Sequence, residues 1–243
     1  MDLGRSFRGD GSRRAAVVAA TLAVGVVLTV AATVTGVGAV TGRAPQQASS
    51  DQLAVRGERL QVGPTTPPPP FCGATDVLIV GDSLTVGADY FGGLADLMDA
   101  AGYTATIDGS VARFSNGAAS VVSQRLADGY LEPLVMVALG TNDASAGYTT
   151  SWFAGNVDKL MAVVGTSRVV VWTNLQMTDM VTADRFNAIL YLKSLQYRNL
   201  LIADWAATPN SQYLTGDGIH YGPTGYKNRA AYTVDRANWA TCR

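Results

Sequence analysis

One histidine and two cysteines are all that 243 residues offer of the usual nitrogen and sulfur metal ligands. Zinc and iron–sulfur centres take several such residues at short spacing, so this scarcity argues against a metal site, and no metal or organic cofactor is expected. Charge is scarce as well: 15 % of residues are Asp, Glu, Lys or Arg, and the formal net charge is −1. The charges are unevenly distributed. Residues 1–70 carry seven Arg and four acidic residues, whereas residues 71–243 carry eleven basic and fifteen acidic ones. An acidic globular part without a basic stripe argues against nucleic acid as a partner. No internal repeat is evident.

Between Ala15 and Gly42 there is no charge at all, and Arg5, Arg8, Arg13 and Arg14 precede that stretch. As a helix, 28 residues span about 40 Å, more than the roughly 30 Å of a bilayer's hydrocarbon core. The expectation is a cytoplasmic basic tail over residues 1–14 and a transmembrane anchor or signal segment over residues 15–42, with the remainder outside the cytoplasm. Val37-Gly38-Ala39 resembles a signal-peptidase site, so release after cleavage stays open. Residues 43–70 read as a linker. They are polar and end in Pro67-Pro68-Pro69-Pro70, a run that favours an extended, semi-rigid spacer. Cys72 and Cys242 lie at the two extremes of the globular part. In an exported chain an even cysteine count suggests a disulfide, and domain termini often lie close together. Two unpaired thiols are the alternative.

From residue 71 to residue 243 short apolar runs alternate with longer helical patterns. Strands are expected at Val77–Val80, Thr104–Ile107, Leu134–Ala138, Val169–Trp172 and Leu200–Ala203, since near-continuous apolar runs of this length suit parallel strands buried on both faces. Helices are expected near Gly93–Ala101, Ala118–Ala127, Trp152–Val164, Ala183–Leu195 and Tyr226–Asn238, with Pro223 suited to a first turn. The alternation implies one α/β domain, a three-layer α/β/α sandwich with a five-stranded parallel sheet of flavodoxin-like type. Ligands of such sheets bind beyond the carboxyl ends of the strands.

Three short segments fall on that rim: Gly81-Asp82-Ser83-Leu84 after the first strand, Gly140-Thr141-Asn142-Asp143 after the third, and Asp217-Gly218-Ile219-His220 before the last helix. A serine at a strand-to-helix turn has its hydroxyl where the helix dipole and free N–H groups favour developing negative charge, although a helix-capping serine would sit there too. His220 alone reads as a loop histidine and Asn142 alone as a turn residue. In a hydrolytic site, an asparagine amide would donate to an oxyanion.

Together, the three segments resemble the blocks of the SGNH hydrolases, also called GDSL esterases and lipases, over about residues 76–235. The resemblance implies a catalytic triad of Ser83, Asp217 and His220, and an oxyanion hole from the backbone N–H of Ser83, that of Ala112 and the side chain of Asn142. Ala112 comes from Ile107-Asp108-Gly109-Ser110-Val111-Ala112-Arg113, similar to an Asp-Ala-x-x-Gly-Arg pattern with alanine in the glycine place. A positive φ would strain that alanine by roughly 1 kcal/mol, and Gly109 is the alternative donor. Asp204-Trp205, Asn187 and Gly222-Pro223-Thr224-Gly225-Tyr226 resemble SGNH domains attached to bacterial membrane acyltransferases. Trp205 and Asn187 read equally well as packing residues.

The expectation is thus an extracytoplasmic bacterial serine esterase, tethered to the cell membrane, acting on O-acyl esters of cell-envelope glycans without a cofactor. Its partners would be an acylated cell-surface glycan or small ester and, possible beside it, a membrane acyl-donor protein. An O-acyltransferase using the same site, or a non-catalytic glycan-binding domain, are the alternatives.

Overall fold

The computed structural model describes residues 72–243. The expected basic tail, anchor or signal segment, proline-rich linker and Phe71 lie outside the described residues, and no helix among the described residues is long and apolar enough to cross a membrane.

The five strands are β1 (Asp76–Gly81), β2 (Thr104–Gly109), β3 (Leu134–Ala138), β4 (Val169–Thr173) and β5 (Leu200–Ala203), arranged β2-β1-β3-β4-β5. Every pairing is parallel. The order is that of a flavodoxin-like sheet. Among the described residues seven α-helices accompany the strands: α1 (Ser83–Gly92), α2 (Leu94–Ala100), α3 (Gly117–Ala127), α4 (Thr141–Ser145), α5 (Thr150–Val164), α6 (Met180–Gln196) and, after the last strand, α7 (Pro223–Ala240).

Alternating strand residues feed two separate cores, as the pleat requires. Leu78, Val80, Val135, Val137, Val170, Trp172, Leu200 and Ile202 pack with Val122 of α3, Phe153 and Leu160 of α5, and Phe186 and Leu190 of α6. Their neighbours Val77, Ile79, Leu134, Met136, Val169, Val171, Leu201 and Ala203 pack the other way, with Leu94 and Met98 of α2 and Ala230, Ala237 and Ala240 of α7. Burial on both faces explains why the strand sequences are continuously apolar rather than alternating. The edge strand β2 is only partly covered and is correspondingly the most polar.

Expected and observed strands agree to within two residues at each end. Four elements lay outside the expectation. Ser83–Gly92 is a full helix that stops because Gly93 takes a left-handed φ of 67°. The short α4 and two 3-10 turns, Trp205–Ala207 and Pro209–Tyr213, are too brief to show periodicity. Pro223 opens α7 as its composition suggested. A Cβ on Gly87 would sit 2.2 Å from the Tyr226 ring, so α1 can lie against α7 only with glycine there. Cys72 and Cys242 are bonded, with Cα atoms 4.9 Å apart and a sequence separation of 170. The bond ties the start of the described residues to the end of α7.

Candidate active site

The sheet order places a crevice where the connections from β1 and β3 part to opposite faces, and the first two segments meet there. β1 ends at Gly81, where a Cβ would lie 1.8 Å from Thr85 Oγ1. Asp82 is the N-cap of α1: its Oδ1 accepts the Leu84 N–H at 2.9 Å. Ser83 is therefore not the cap but the first helical residue, and its hydroxyl is left for another partner. That partner is His220. Ser83 Oγ lies 2.9 Å from His220 Nε2, across 137 positions of sequence.

The third segment folds into a turn held by its own polar groups. Asp217 Oδ2 is 2.6 Å from His220 Nδ1, and Asp217 Oδ1 accepts the N–H groups of Ile219 at 2.9 Å and His220 at 3.0 Å, and the Thr215 hydroxyl at 2.9 Å. The imidazole bond first, then the two backbone donors, hold the Asp217 carboxyl well below the usual carboxylate range. Gly218 turns the chain at φ 72°, its carbonyl accepting from Thr178 N at 2.9 Å. With Nδ1–H given to Asp217, Nε2 offers its lone pair to the serine hydroxyl. The His220 and Asp217 side chains are 41 % and 49 % exposed, so solvent reaches the pair directly.

The expected oxyanion residues fall around Ser83 unevenly. The N–H of Ser83 opens α1, where first-turn donors have no helical partner. Ala112 is exposed in the loop after β2 with φ 60°, the left-handed conformation that strains alanine. Arg113 straps that loop down: Nη1 donates to the carbonyls of Gly81 at 3.2 Å and Asp108 at 2.5 Å, and Nη2 pairs with Asp108 Oδ1 at 2.6 Å. Gly109 is the last residue of β2, in register with Gly81 and against Val86. Asn142, in α4, points its amide into the same crevice but has both hydrogens engaged. Its Nδ2 donates to the Arg113 carbonyl at 3.1 Å and to Asp82 Oδ2 at 3.3 Å.

Asp82 and Arg113 are the residues that sequence reasoning passed over. An aspartate directly before a helix is a recognisable cap, but its second oxygen, reaching Asn142 60 positions away, leaves no local signal. Asp82 is fully buried. Desolvation pushes its carboxyl up to about 6, against the pull of the Leu84 N–H and of the Arg229 and His220 charges. Asn187 and Trp205 take their packing roles. The Asn187 amide clamps the backbone of Leu175 at 2.8 and 2.9 Å, and Trp205 is fully buried, its indole donating to Tyr221 Oη at 2.7 Å.

No family model matches the sequence, and no curated protein matches it. Solved structures do match. The C-terminal catalytic domain of peptidoglycan O-acetyltransferase A from Streptococcus pneumoniae superposes with a TM-score of 0.57 at 17 % identity, over 70 % of this chain and 96 % of that one. A lipolytic protein of the G-D-S-L family from Veillonella parvula gives 0.55 at 19 %, over 66 % and 96 %. An acetylxylan esterase from Geobacillus stearothermophilus gives 0.52 at 14 %, over 69 % and 95 %. The described residues have the three-layer fold of the SGNH, or GDSL, hydrolases.

Proposed function

We propose that this protein is an extracytoplasmic serine esterase that cleaves O-acyl esters of cell-envelope glycans through Ser83, His220 and Asp217. The observation that carries the reading is the Ser83–His220–Asp217 relay, at 2.9 and 2.6 Å, on the rim where such sheets bind ligands. His220 Nε2 takes the proton as Ser83 Oγ attacks the ester carbonyl. The tetrahedral oxyanion rests on the N–H groups of Ser83 and Ala112 and on the Asn142 amide, which exchanges its Asp82 contact for the developing charge. His220 returns the proton to the leaving sugar oxygen. Water, deprotonated by His220, then attacks the acyl-Ser83 carbonyl, releases the acid and restores the hydroxyl. Asp217 keeps the imidazole in the right tautomer and stabilises its charged form.

The partly exposed histidine and aspartate favour water as the acyl acceptor. Transfer to a sugar hydroxyl is the second reading, supported by the O-acetyltransferase domain among the structural neighbours. An intact, hydrogen-bonded triad speaks against a merely glycan-binding domain. The uncharged segment between Ala15 and Gly42 anchors the protein N-in, C-out, beside any membrane acyl donor, or is cleaved near Val40; the Cys72–Cys242 bond suits an oxidising compartment. Purified protein incubated with acetylated glycans and an added acceptor sugar tests the function. Released acetate supports hydrolysis, acetylated acceptor supports transfer, and the absence of both products refutes the enzyme reading.

A further inference from the structure

Three aromatic rings stand beside the loop that carries Ala112 and the short helix that carries Asn142. Phe114 follows Arg113, and Tyr148 and Trp152 lie just beyond α4. Phe114 and Tyr148 meet edge to face with centroids 5.3 Å apart; Tyr148 and Trp152 stack at 5.3 Å with planes 21° apart. Tyr148 is 43 % and Trp152 38 % exposed. Single exposed rings are ordinary, but this indole is held in place from below. Its Nε1–H donates to Asp143 Oδ1 at 3.2 Å, and Asp143 is fully buried. The same carboxylate accepts the Ser115 N–H at 2.8 Å and the Ser115 hydroxyl at 2.6 Å, and Asn156 donates to Ser115 Oγ at 2.9 Å. A buried carboxylate network thus ends on a half-exposed ring. Such fixing removes the ordering cost that a mobile aromatic would bear on binding.

We propose that Tyr148 and Trp152, edged by Phe114, form a platform for a pyranose ring of the acylated glycan, next to the sugar whose ester reaches Ser83. This rests on the esterase reading and adds a subsite to it. The place fits: Asp143 adjoins Asn142, Phe114 adjoins Arg113, and the Arg113 carbonyl already holds the Asn142 amide. A sugar sets its C–H face on an aromatic ring while its hydroxyls stay in water, which suits rings that are half covered. A lipid surface would demand surrounding basic residues. Here Arg113 is tied to Asp108, and Lys159, above the indole at 5.8 Å, is a single cation rather than a basic cluster.

The test compares kcat/KM of the full-length protein on O-acetylated chito-oligosaccharide with that on p-nitrophenyl acetate. In Tyr148→Ala and Trp152→Ala the ratio of the two should fall roughly tenfold, mainly through KM, while Tyr148→Phe should stay within about twofold, as expected for one aromatic contact. Tyr148→Ala leaves the Asp143 network whole, so its result stands even if Trp152→Ala misfolds. An unchanged ratio in Tyr148→Ala overturns the platform, as does a loss that instead follows binding to phosphatidylglycerol vesicles. If the wild type cleaves neither ester, the esterase reading fails separately. The platform is then judged by the Trp152 indole N–H resonance during titration with the same oligosaccharide: a shift supports it and a fixed resonance overturns it.

Discussion

The two halves of the candidate site are built in opposite ways. His220 and Asp217 sit on an exposed turn whose hydrogen bonds run almost entirely among residues 215–220, with Thr215 N bonded to the His220 carbonyl at 2.7 Å and three donors converging on Asp217 Oδ1. Ser83, Ala112 and Asn142 are positioned from the ends of three adjacent strands and held together by the buried Asp82 and the Arg113 strap. One half carries its geometry locally; the other borrows it from the sheet. On the proposed mechanism, proton transfer would depend on a short peptide and charge stabilisation on the whole core.

The largest effects should come from the link between the halves. Ser83→Ala and His220→Ala should each fold normally and lose on the order of 10⁴–10⁶ in kcat, because triad members act as a unit. Asp217→Asn should cost about 10⁴ through the wrong imidazole tautomer. Steady-state rates on p-nitrophenyl acetate check all three. Residual activity in Ser83→Ala above one per cent of wild type would place the nucleophile elsewhere.

On the borrowed side, Asn142→Ala should lower kcat on the order of 10²–10³ if its amide leaves Asp82 for the oxyanion. A loss under about threefold would mean that the amide stays on Asp82 during turnover and that the two backbone donors suffice.

The difference between the halves also explains what was legible in the sequence. The pairing of Asp217 with His220, 2.6 Å apart, could be expected because its turn and its spacing lie within four residues. The five strands could be read because each is buried on both faces and hence unbroken in apolar character. Asp82 could be read only as part of a motif: its bond to Asn142 forms when β1 and β3 pair, and no local pattern encodes that. The strain at Ala112 could be posed from the sequence but not decided there, since its φ of 60° belongs to the folded loop after β2 and no local pattern encodes it. The short α4 has too few residues for any periodicity to emerge.

Asp82 gives the comparison a pH signature. Folding lifts its carboxyl from 3.8 to about 6, so between those values the folded protein holds this proton more tightly than the unfolded chain. Its contribution to stability therefore falls as pH rises from about 4 to about 6 and is flat above, with a total on the order of 3 kcal/mol. Asp217, held low, acts in the opposite sense: its contribution is present above pH about 4 and is lost as pH falls further. Asp82→Asn, which keeps a cap acceptor, should abolish the first slope and be on the order of 1–3 kcal/mol more stable at about pH 8. Urea unfolding of both proteins at about pH 4 and about pH 8 checks this, and an unchanged slope would remove Asp82 as its source.

The smallest effect is expected at Ala112. Ala112→Gly relieves the left-handed strain but frees the unfolded chain, so stability should change by no more than about 1 kcal/mol, with near-normal turnover for a backbone donor. A large loss of activity without loss of stability would show that the alanine methyl group itself serves the substrate.

The most direct test of the central claim is labelling by a fluorophosphonate, followed by peptide mapping. The account predicts an adduct on Ser83 in the wild type, formed far more slowly in His220→Ala, because the hydroxyl is activated only through the 2.9 Å contact with Nε2. Equal labelling rates in the two proteins, or an adduct on another serine, would contradict it.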